Sequence, residues 1–349
     1  MNTNNYYSQR NIDYVNRLEK IKQDLPDFCQ DFFVGLQHHT AILTRVNYAY
    51  DLRIFFDYLY KKGKVKNPKD FALVELENIN AFDIEQFLDY LTYYTYNGKQ
   101  SQCKAHAKER KLSAVRALTK YFFKKDLLEK DTASKVSSVK IKEGTIVRLD
   151  VEEVANLLDL VEHGSDKFSK RQQTYLKQTK IRDLAILTLF LGTGIRVSEL
   201  VGMDIEDVNF KDNSFRIIRK GGNASILYFN DEVGKTLIEY TNFRMLQLQN
   251  NPSNTSQNAL FLTTKGNRLC VRSVQLLVKK FTKQINTLKK ISPHKLRSTF
   301  GTQLYRDTQD IYVVAEVLGH KDVNTTKKHY AQTNEDIKRN AANTVKLRK

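Results

Sequence analysis

The stretch RDLAILTLFLGTGIRVSELVGM, residues 182–203, allows few folds. No charge interrupts it between Asp183 and Arg196, and its apolar side chains cover every face of a helix. A helix that is apolar all round must be enclosed by other elements or by lipid. This run falls short of the ~20 residues that a membrane span needs, and no run of 18 apolar residues occurs in the chain. It therefore predicts a buried helix that surfaces at its end, at Gly192-Thr193-Gly194, so that Arg196 projects from a rigid, partly dry scaffold.

At 349 residues the chain is long enough for two domains. The first 130 residues read as helices. In TAILTRVNYAYDLRIFFDYLYKKG, Leu43, Val46, Tyr50, Phe55 and Leu59 recur near the helical period, and Gly63 stops the run. A second helix follows in NAFDIEQFLDYLTYY, with Ile84, Phe87, Leu88 and Leu91 on one side. The third, KAHAKERKLSAVRALTKYFFKK, has Leu112, Val115, Leu118 and Phe122 as its apolar stripe. Residues 131–149 are small, polar and basic without an apolar period, which predicts a linker. Asp150 with Glu153 is a helix-start signal that opens the second domain. FRIIRKGGNASILYF holds two short β-rich runs about a Gly-Gly turn, a hairpin signature, and the remainder reads mostly as helix. The predicted fold class is mainly α, with a small antiparallel β-hairpin or sheet in the C-terminal domain.

The net charge of +18 is uneven: −1 over residues 1–100, +7 over 101–150 and +12 over 151–349. A positive field that begins near residue 101 favours a polyanionic partner, most often nucleic acid; a merely soluble basic protein is the plainer alternative. Lys104, Lys108, Lys111, Arg116 and Lys120 make the third helix the expected DNA-facing element of the N-terminal half, because cations on a rigid rod can meet successive phosphates. The alternative is a solvated helix face. Cys29, Cys103 and Cys270 are far apart and form no C-x-x-C pair, so neither a zinc ribbon nor a disulfide framework is indicated. No acidic pair or Cys/His cluster offers a metal site. The opening MNTNNYYSQRNIDYV lacks the apolar segment of a secretory signal, and the expected location is the cytoplasm.

The residue types that carry chemistry lie in the second half. Arg196 follows Gly192-Thr193-Gly194 with Glu199 one turn on, so its guanidinium either binds an oxyanion or forms a structural pair with Glu199. Lys220 sits at the tip of the predicted hairpin beside two glycines, where a turn delivers an ammonium into a cleft or merely into solvent. In ISPHKLRSTFGTQLY, His294 and Arg297 share one helical face. In VLGHKDVNTTKKHY, His320 follows a Leu-Gly turn and Tyr330 comes later in the same stretch. Two arginines, a lysine and two histidines around one tyrosine suit attack on a phosphodiester. Its transition state gains negative charge on the non-bridging oxygens, which arginine forks stabilise. A phenol with a free pKa of about 10 needs neighbouring cations or an imidazole to become a nucleophile.

The ordered series GTGIRVSEL, RKGG, HKLRSTFGT, LGH and a tyrosine after NTTKKH resembles the tyrosine site-specific recombinase (phage integrase) family across essentially the whole second domain. The N-terminal helices resemble that family's core-binding domain. The resemblance implies a helical, SAM-like DNA-binding domain over 1–130, a linker over 131–149 and an α+β catalytic domain over 150–349. It implies Arg196 and Arg297 as phosphate-binding arginines, Lys220 as general acid, His294 as acid/base partner and His320 as a second donor to the phosphate. Tyr330 becomes the nucleophile that forms a 3′-phosphotyrosyl link and releases a 5′-hydroxyl. No cofactor, metal or ATP is then needed. The implied partners are double-stranded DNA with an inverted-repeat site, three further copies of the chain in a homotetramer, and a septal DNA translocase of the FtsK type, and the implied location is the nucleoid within the cytoplasm. The segment NEDIKRNAANTVKLRK is the expected protomer-docking tail.

Within the family, KIKQDLPDFCQDFF, KRQQTYLKQTKIRDLAIL and IIRKGG resemble the single-protein Xer recombinases of the XerS type, which resolve chromosome dimers. Two features depart from that type: Ser298 stands where Xer proteins usually have histidine, and the His320 to Tyr330 interval is one residue longer than the common spacing. The longer interval is familiar from integrases of mobile elements, which share the active site and differ in the DNA target. Such integrases often carry an additional arm-binding domain, and only about 40 residues without a strand pattern precede the first core-binding helix here. A DNA-binding module without catalysis and a type IB topoisomerase are the readings from other classes.

Overall fold

The structure, a computed structural model, describes residues 5–64, 67–141, 147–164, 168–219, 222–249, 258–286, 288–320 and 322–330. The chain divides into two compact units, Met1–Gly144 and Thr145–Lys349.

The first unit contains α1 (Asn5–Lys22), α2 (Phe28–Gly35), α3 (Ile42–Lys61), α4 (Ala81–Tyr90), a hairpin of β1 (Tyr94–Tyr96) and β2 (Lys99–Ser101), and α5 (Ala105–Phe123). Helix α3 packs between α1 and α5. The side of α3 turned inward carries Val46, Ala49, Leu52, Phe55, Phe56 and Leu59, whereas Leu43 and Tyr50, expected on the buried stripe, are exposed. The stripe follows the i, i+3, i+4 rhythm more closely than the predicted set did. Phe28 meets Phe56 and Phe122 edge-on with ring centroids 6.0 and 5.5 Å apart, which ties α2, α3 and α5 together. The hairpin was missed by the sequence pattern although its turn, Asn97-Gly98, has both residues at positive φ (48° and 72°), the conformation that favours this dipeptide.

Two of the five cations assigned to the DNA-facing side of α5 are structural. Lys111 is 4% exposed and its Nζ lies 3.1 Å from Oδ1 of buried Asp51, whose Oδ2 also takes Arg110 at 2.8 Å. Burying a carboxylate is costly unless it is paired, and α5 supplies the pair. Arg116 donates to the carbonyls of Ala133 and Val136 and to Ser138 Oγ. Lys104 and Lys120 remain exposed. The Arg116 contacts hold the first part of the expected linker, and other contacts hold its end. Ala133 and Val136 are buried in the first unit, Val139 N–H donates to Glu109, and Leu149 is buried in the second unit with its N–H on Thr299 Oγ1 at 3.0 Å.

The second unit is built on α6 (Val151–His163), α7 (Lys170–Thr193), α8 (Val197–Leu200), β3 (Val208–Asn209), β4 (Ser214–Ile218), β5 (Ala224–Tyr228), α9 (Asp231–Gln249), α10 (Val271–Ile285), α11 (Pro293–Thr308), α12 (Ile311–Leu318) and α13 (Val323–Tyr330). Asp150 and Glu153 cap α6 reciprocally, side chain to backbone, at 2.8 and 2.9 Å. Helix α7 contains the predicted buried helix: Ala185 to Phe190 are consecutively buried, covering more than one turn, and the structure sets α6, α9 and α11 around it. Its own charges at Arg182 and Asp183 are sealed in as a pair, 2.6 Å apart. The sheet runs β3-β4-β5, all antiparallel, and the register Ile218↔Ala224 sets the turn between β4 and β5 at residues 219–223. Helices with small antiparallel sheets are the fold class read from the sequence. Among the described residues no helix is long and apolar enough to cross a membrane.

Candidate active site

Gly194 closes α7 in the left-handed conformation at φ +62°. A Cβ here would lie 2.4 Å from Phe300 Cδ1 and 2.9 Å from Leu318 Cδ2, so glycine is required for both backbone and space. The sharp turn brings Arg196 to the N-cap of α8. Its backbone N–H and its Nη1 both donate to Glu199, at 2.9 and 2.8 Å, and that carboxylate is only 3% exposed. The pair with Glu199 therefore exists, and it leaves the second edge of the guanidinium for other work. Nη2 donates to the carbonyls of Leu318 and Gly319, each at 3.2 Å.

Those carbonyls belong to the C-terminal turn of α12. Gly319, at φ +60°, ends that helix in a Schellman motif. Its N–H donates to Glu316 O and the N–H of His320 donates back to Ala315 O, both at 2.9 Å. The motif satisfies the carbonyls of 315 and 316. Among the described residues the next three have no donor from the helix backbone, since a helix leaves its last carbonyls open. Arginines fill them. Arg219 Nη2 donates to Val317 O at 3.1 Å, Arg297 Nη2 and Arg196 Nη2 donate to Leu318 O, and Arg196 Nη2 also reaches Gly319 O. Arg297, on α11 and 4% exposed, adds a bond from Nη1 to Gly194 O. The negative end of the α12 dipole thus holds three guanidinium groups together despite their mutual repulsion. Burial, offset by Glu199 and reinforced by the charge of Arg196, holds the Arg219 guanidinium below the usual arginine range.

His320 directly follows the motif. Its Nδ1 lies 2.8 Å from Oγ1 of Thr326, a fully buried residue of α13, so the imidazole is oriented by the helix that ends at Tyr330. His294 stands on the exposed side of the first turn of α11, behind Pro293, and Arg297 follows one turn later. Ser298 turns its hydroxyl onto His294 O of its own helix at 3.0 Å. The structure thus gathers Arg196, Arg297 and His320 around one helix end and puts His294 on the helix of Arg297. Lys220 lies outside the described residues, next to Arg219. Tyr330 is the last residue of α13, and its side chain is likewise outside them. Residues 335–349, the expected docking tail, are also outside.

Arg219 and Thr326 were missed by sequence reasoning. Arg219 was visible in RKGG only as the neighbour of a lysine, and Thr326 as part of a spacer. Gly319 is the residue on which the cluster turns: a Cβ there would lie 1.0 Å from Arg219 Nη1. Gly319→Ala should cost about 1–2 kcal/mol from the left-handed backbone alone, with displacement of Arg219 added, and urea unfolding of the intact chain reads the loss.

Residues 148–336 match the phage integrase family. The tyrosine recombinase XerC of Caldanaerobacter subterraneus subsp. tengcongensis is 32% identical over 289 residues, covering 80% of this chain and 75% of that protein. The tyrosine recombinase XerS of Streptococcus uberis is 28% identical and covers 93% of this chain and 97% of its own length. Among solved structures, the XerH site-specific recombinase in a post-cleavage complex with palindromic difH substrate superposes with a TM-score of 0.65. It is 21% identical, over 87% of this chain and 80% of that one. A lambda integrase (75–356) dimer bound to a COC′ core site gives 0.62 at 14% identity, over 88% and 95%.

Proposed function

Because the chain belongs to the phage integrase family and is a tyrosine recombinase, an enzyme that breaks and rejoins DNA strands, we propose that it acts at one inverted-repeat DNA site through a 3′-phosphotyrosyl intermediate. The observation that carries this reading is the convergence of Arg196 and Arg297 on the open carbonyls of α12. Guanidinium groups fixed before substrate arrives need no reorganisation when charge develops on a phosphate, which is where electrostatic catalysis gains most.

The Tyr330 phenol oxygen attacks the scissile phosphorus and its proton passes to an imidazole, His294 or His320. The P–O5′ bond breaks, its electron pair stays on O5′, and Lys220 supplies the proton that makes a 5′-hydroxyl. Arg196 and Arg297 stabilise the non-bridging oxygens. With Nη2 on two carbonyls and Nη1 on Glu199, Arg196 has its Nε edge left for a phosphate oxygen. Thr326 holds His320 in register with α13. Rejoining is the reverse reaction with a 5′-hydroxyl of another strand. The bond energy is kept in the phosphotyrosine, so neither ATP nor a metal is consumed. Four protomers are needed, because two duplexes exchange four strands and each copy brings one tyrosine.

The biological role we assign is Xer-like resolution of chromosome dimers, with a septal DNA translocase as the accessory partner. It is supported by the nearly full-length match to a XerS protein. The interval between His320 and Tyr330 favours the second reading, integration and excision of a mobile element. Covalent adducts trapped on fragmented DNA of the source cell, in EDTA and without ATP, should map to a single inverted-repeat site on the chromosome. Mapping to the ends of an element supports the second reading. Adducts scattered over arbitrary DNA would identify a topoisomerase, and a strict Mg²⁺ requirement would overturn the mechanism.

A further inference from the structure

One cation of the cluster has no part in the chemistry above. Arg219 is bonded in the chain to Lys220, and its backbone closes the β4–β5 turn: its N–H donates to Asn223 O at 2.8 Å, and Gly222 N–H donates to its carbonyl at 3.0 Å. Its side chain leaves the hairpin and lies across Gly319, where only a glycine leaves room, with Nη2 on Val317 O. Nε and Nη1 are sealed from solvent and have no hydrogen-bond partner among the described residues. Two unsatisfied donors on a half-buried guanidinium, beside the like charge of Arg196, are a costly arrangement. It is maintained by the geometry around it, with the hairpin tip on one side and the α12 cap on the other.

We propose that Arg219 is a positioning residue: through Val317 O it ties the chain next to Lys220 to the C-terminal turn of α12, whose following two carbonyls orient Arg196 and Arg297. Its part in the reaction is to steady its chain neighbour Lys220, the proposed general acid. The proposal rests on the reading of Lys220 as general acid. A direct phosphate contact by Arg219 is disfavoured because its unpaired N–H groups face protein and not solvent.

The test uses single-turnover cleavage of a suicide substrate carrying the mapped site, with either a normal 5′-bridging oxygen or a 5′-bridging sulfur. A thiolate leaves without protonation, so sulfur removes the need for a general acid and for whatever positions it. Arg219→Ala should bind the half-site within about twofold of the unsubstituted chain, which also reports that it is folded, and cleave the oxygen substrate at least tenfold more slowly. On the sulfur substrate Arg219→Ala and Lys220→Ala should both return to within about threefold of the unsubstituted rate, while Arg196→Ala stays slow. Rescue of Lys220→Ala without Arg219→Ala overturns the positioning role and leaves the general acid standing. Failure of Lys220→Ala to be rescued overturns the general acid, and this proposal with it. Cleavage of the oxygen substrate by Arg219→Ala at the unsubstituted rate, or its rescue by a methylphosphonate in place of sulfur, also overturns it, the latter because it identifies a phosphate ligand.

Discussion

A Tyr330→Phe chain should bind its DNA site as tightly as the unsubstituted protein and yield no covalent protein–DNA adduct on a suicide substrate. The substitution removes one oxygen and keeps the ring, so the end of α13 retains its apolar bulk. Tyr330 is the only tyrosine after His320, and Thr326 of the same helix already holds His320. Loss of a covalent nucleophile lowers turnover by about 10⁴-fold or more in enzymes where it has been removed. A denaturing gel that separates free protein from protein carrying a DNA strand gives the answer in one lane. A persistent adduct would mean that another residue attacks.

Arg297→Ala should slow cleavage by about 10²-fold or more, by analogy with removing an oxyanion donor, with a far smaller effect on half-site affinity. The guanidinium has two duties that the substitution abolishes together. In the proposed mechanism it offers a charged fork to the phosphate; it also satisfies Gly194 O, whose burial without a donor costs about 1–3 kcal/mol, and it shares Leu318 O with Arg196. Arg297→Lys separates them in part. An ammonium keeps the charge but is a point donor and cannot span both carbonyls and a phosphate, so it too should cleave slowly. Single-turnover rates set beside dissociation constants on the same DNA decide the matter. Cleavage at the unsubstituted rate by either variant would remove Arg297 from the site.

The elements that were legible before the structure share one property: their signal lies within a few residues. The apolar run of α7, the capping pair Asp150 and Glu153, and the Gly-Gly turn between β4 and β5 are all local. So are the motifs that marked Arg196, His294, Arg297 and His320. What escaped is what depends on a distant partner. Lys111 looks like a surface cation until Asp51, on another helix, is folded against it. Arg219 and Arg297 bind carbonyls, and a carbonyl leaves no mark in a sequence because every residue has one. The Asn97-Gly98 hairpin is the exception, a local signal that the helical pattern on either side obscured.

That the acceptors in α12 are main-chain oxygens divides mutations there into two kinds. Replacing Val317 by another residue leaves its carbonyl where it was, so, Gly319 apart, a changed side chain in this turn costs the arginines little. Inserting or deleting one residue is not, because each residue of an α-helix advances about 100° around the axis. A single-codon change in length between Asp310 and Gly319 would rotate the row of acceptors away from all three guanidinium groups at once. In this stretch the length of the helix constrains the arginines more than the identity of most of its side chains.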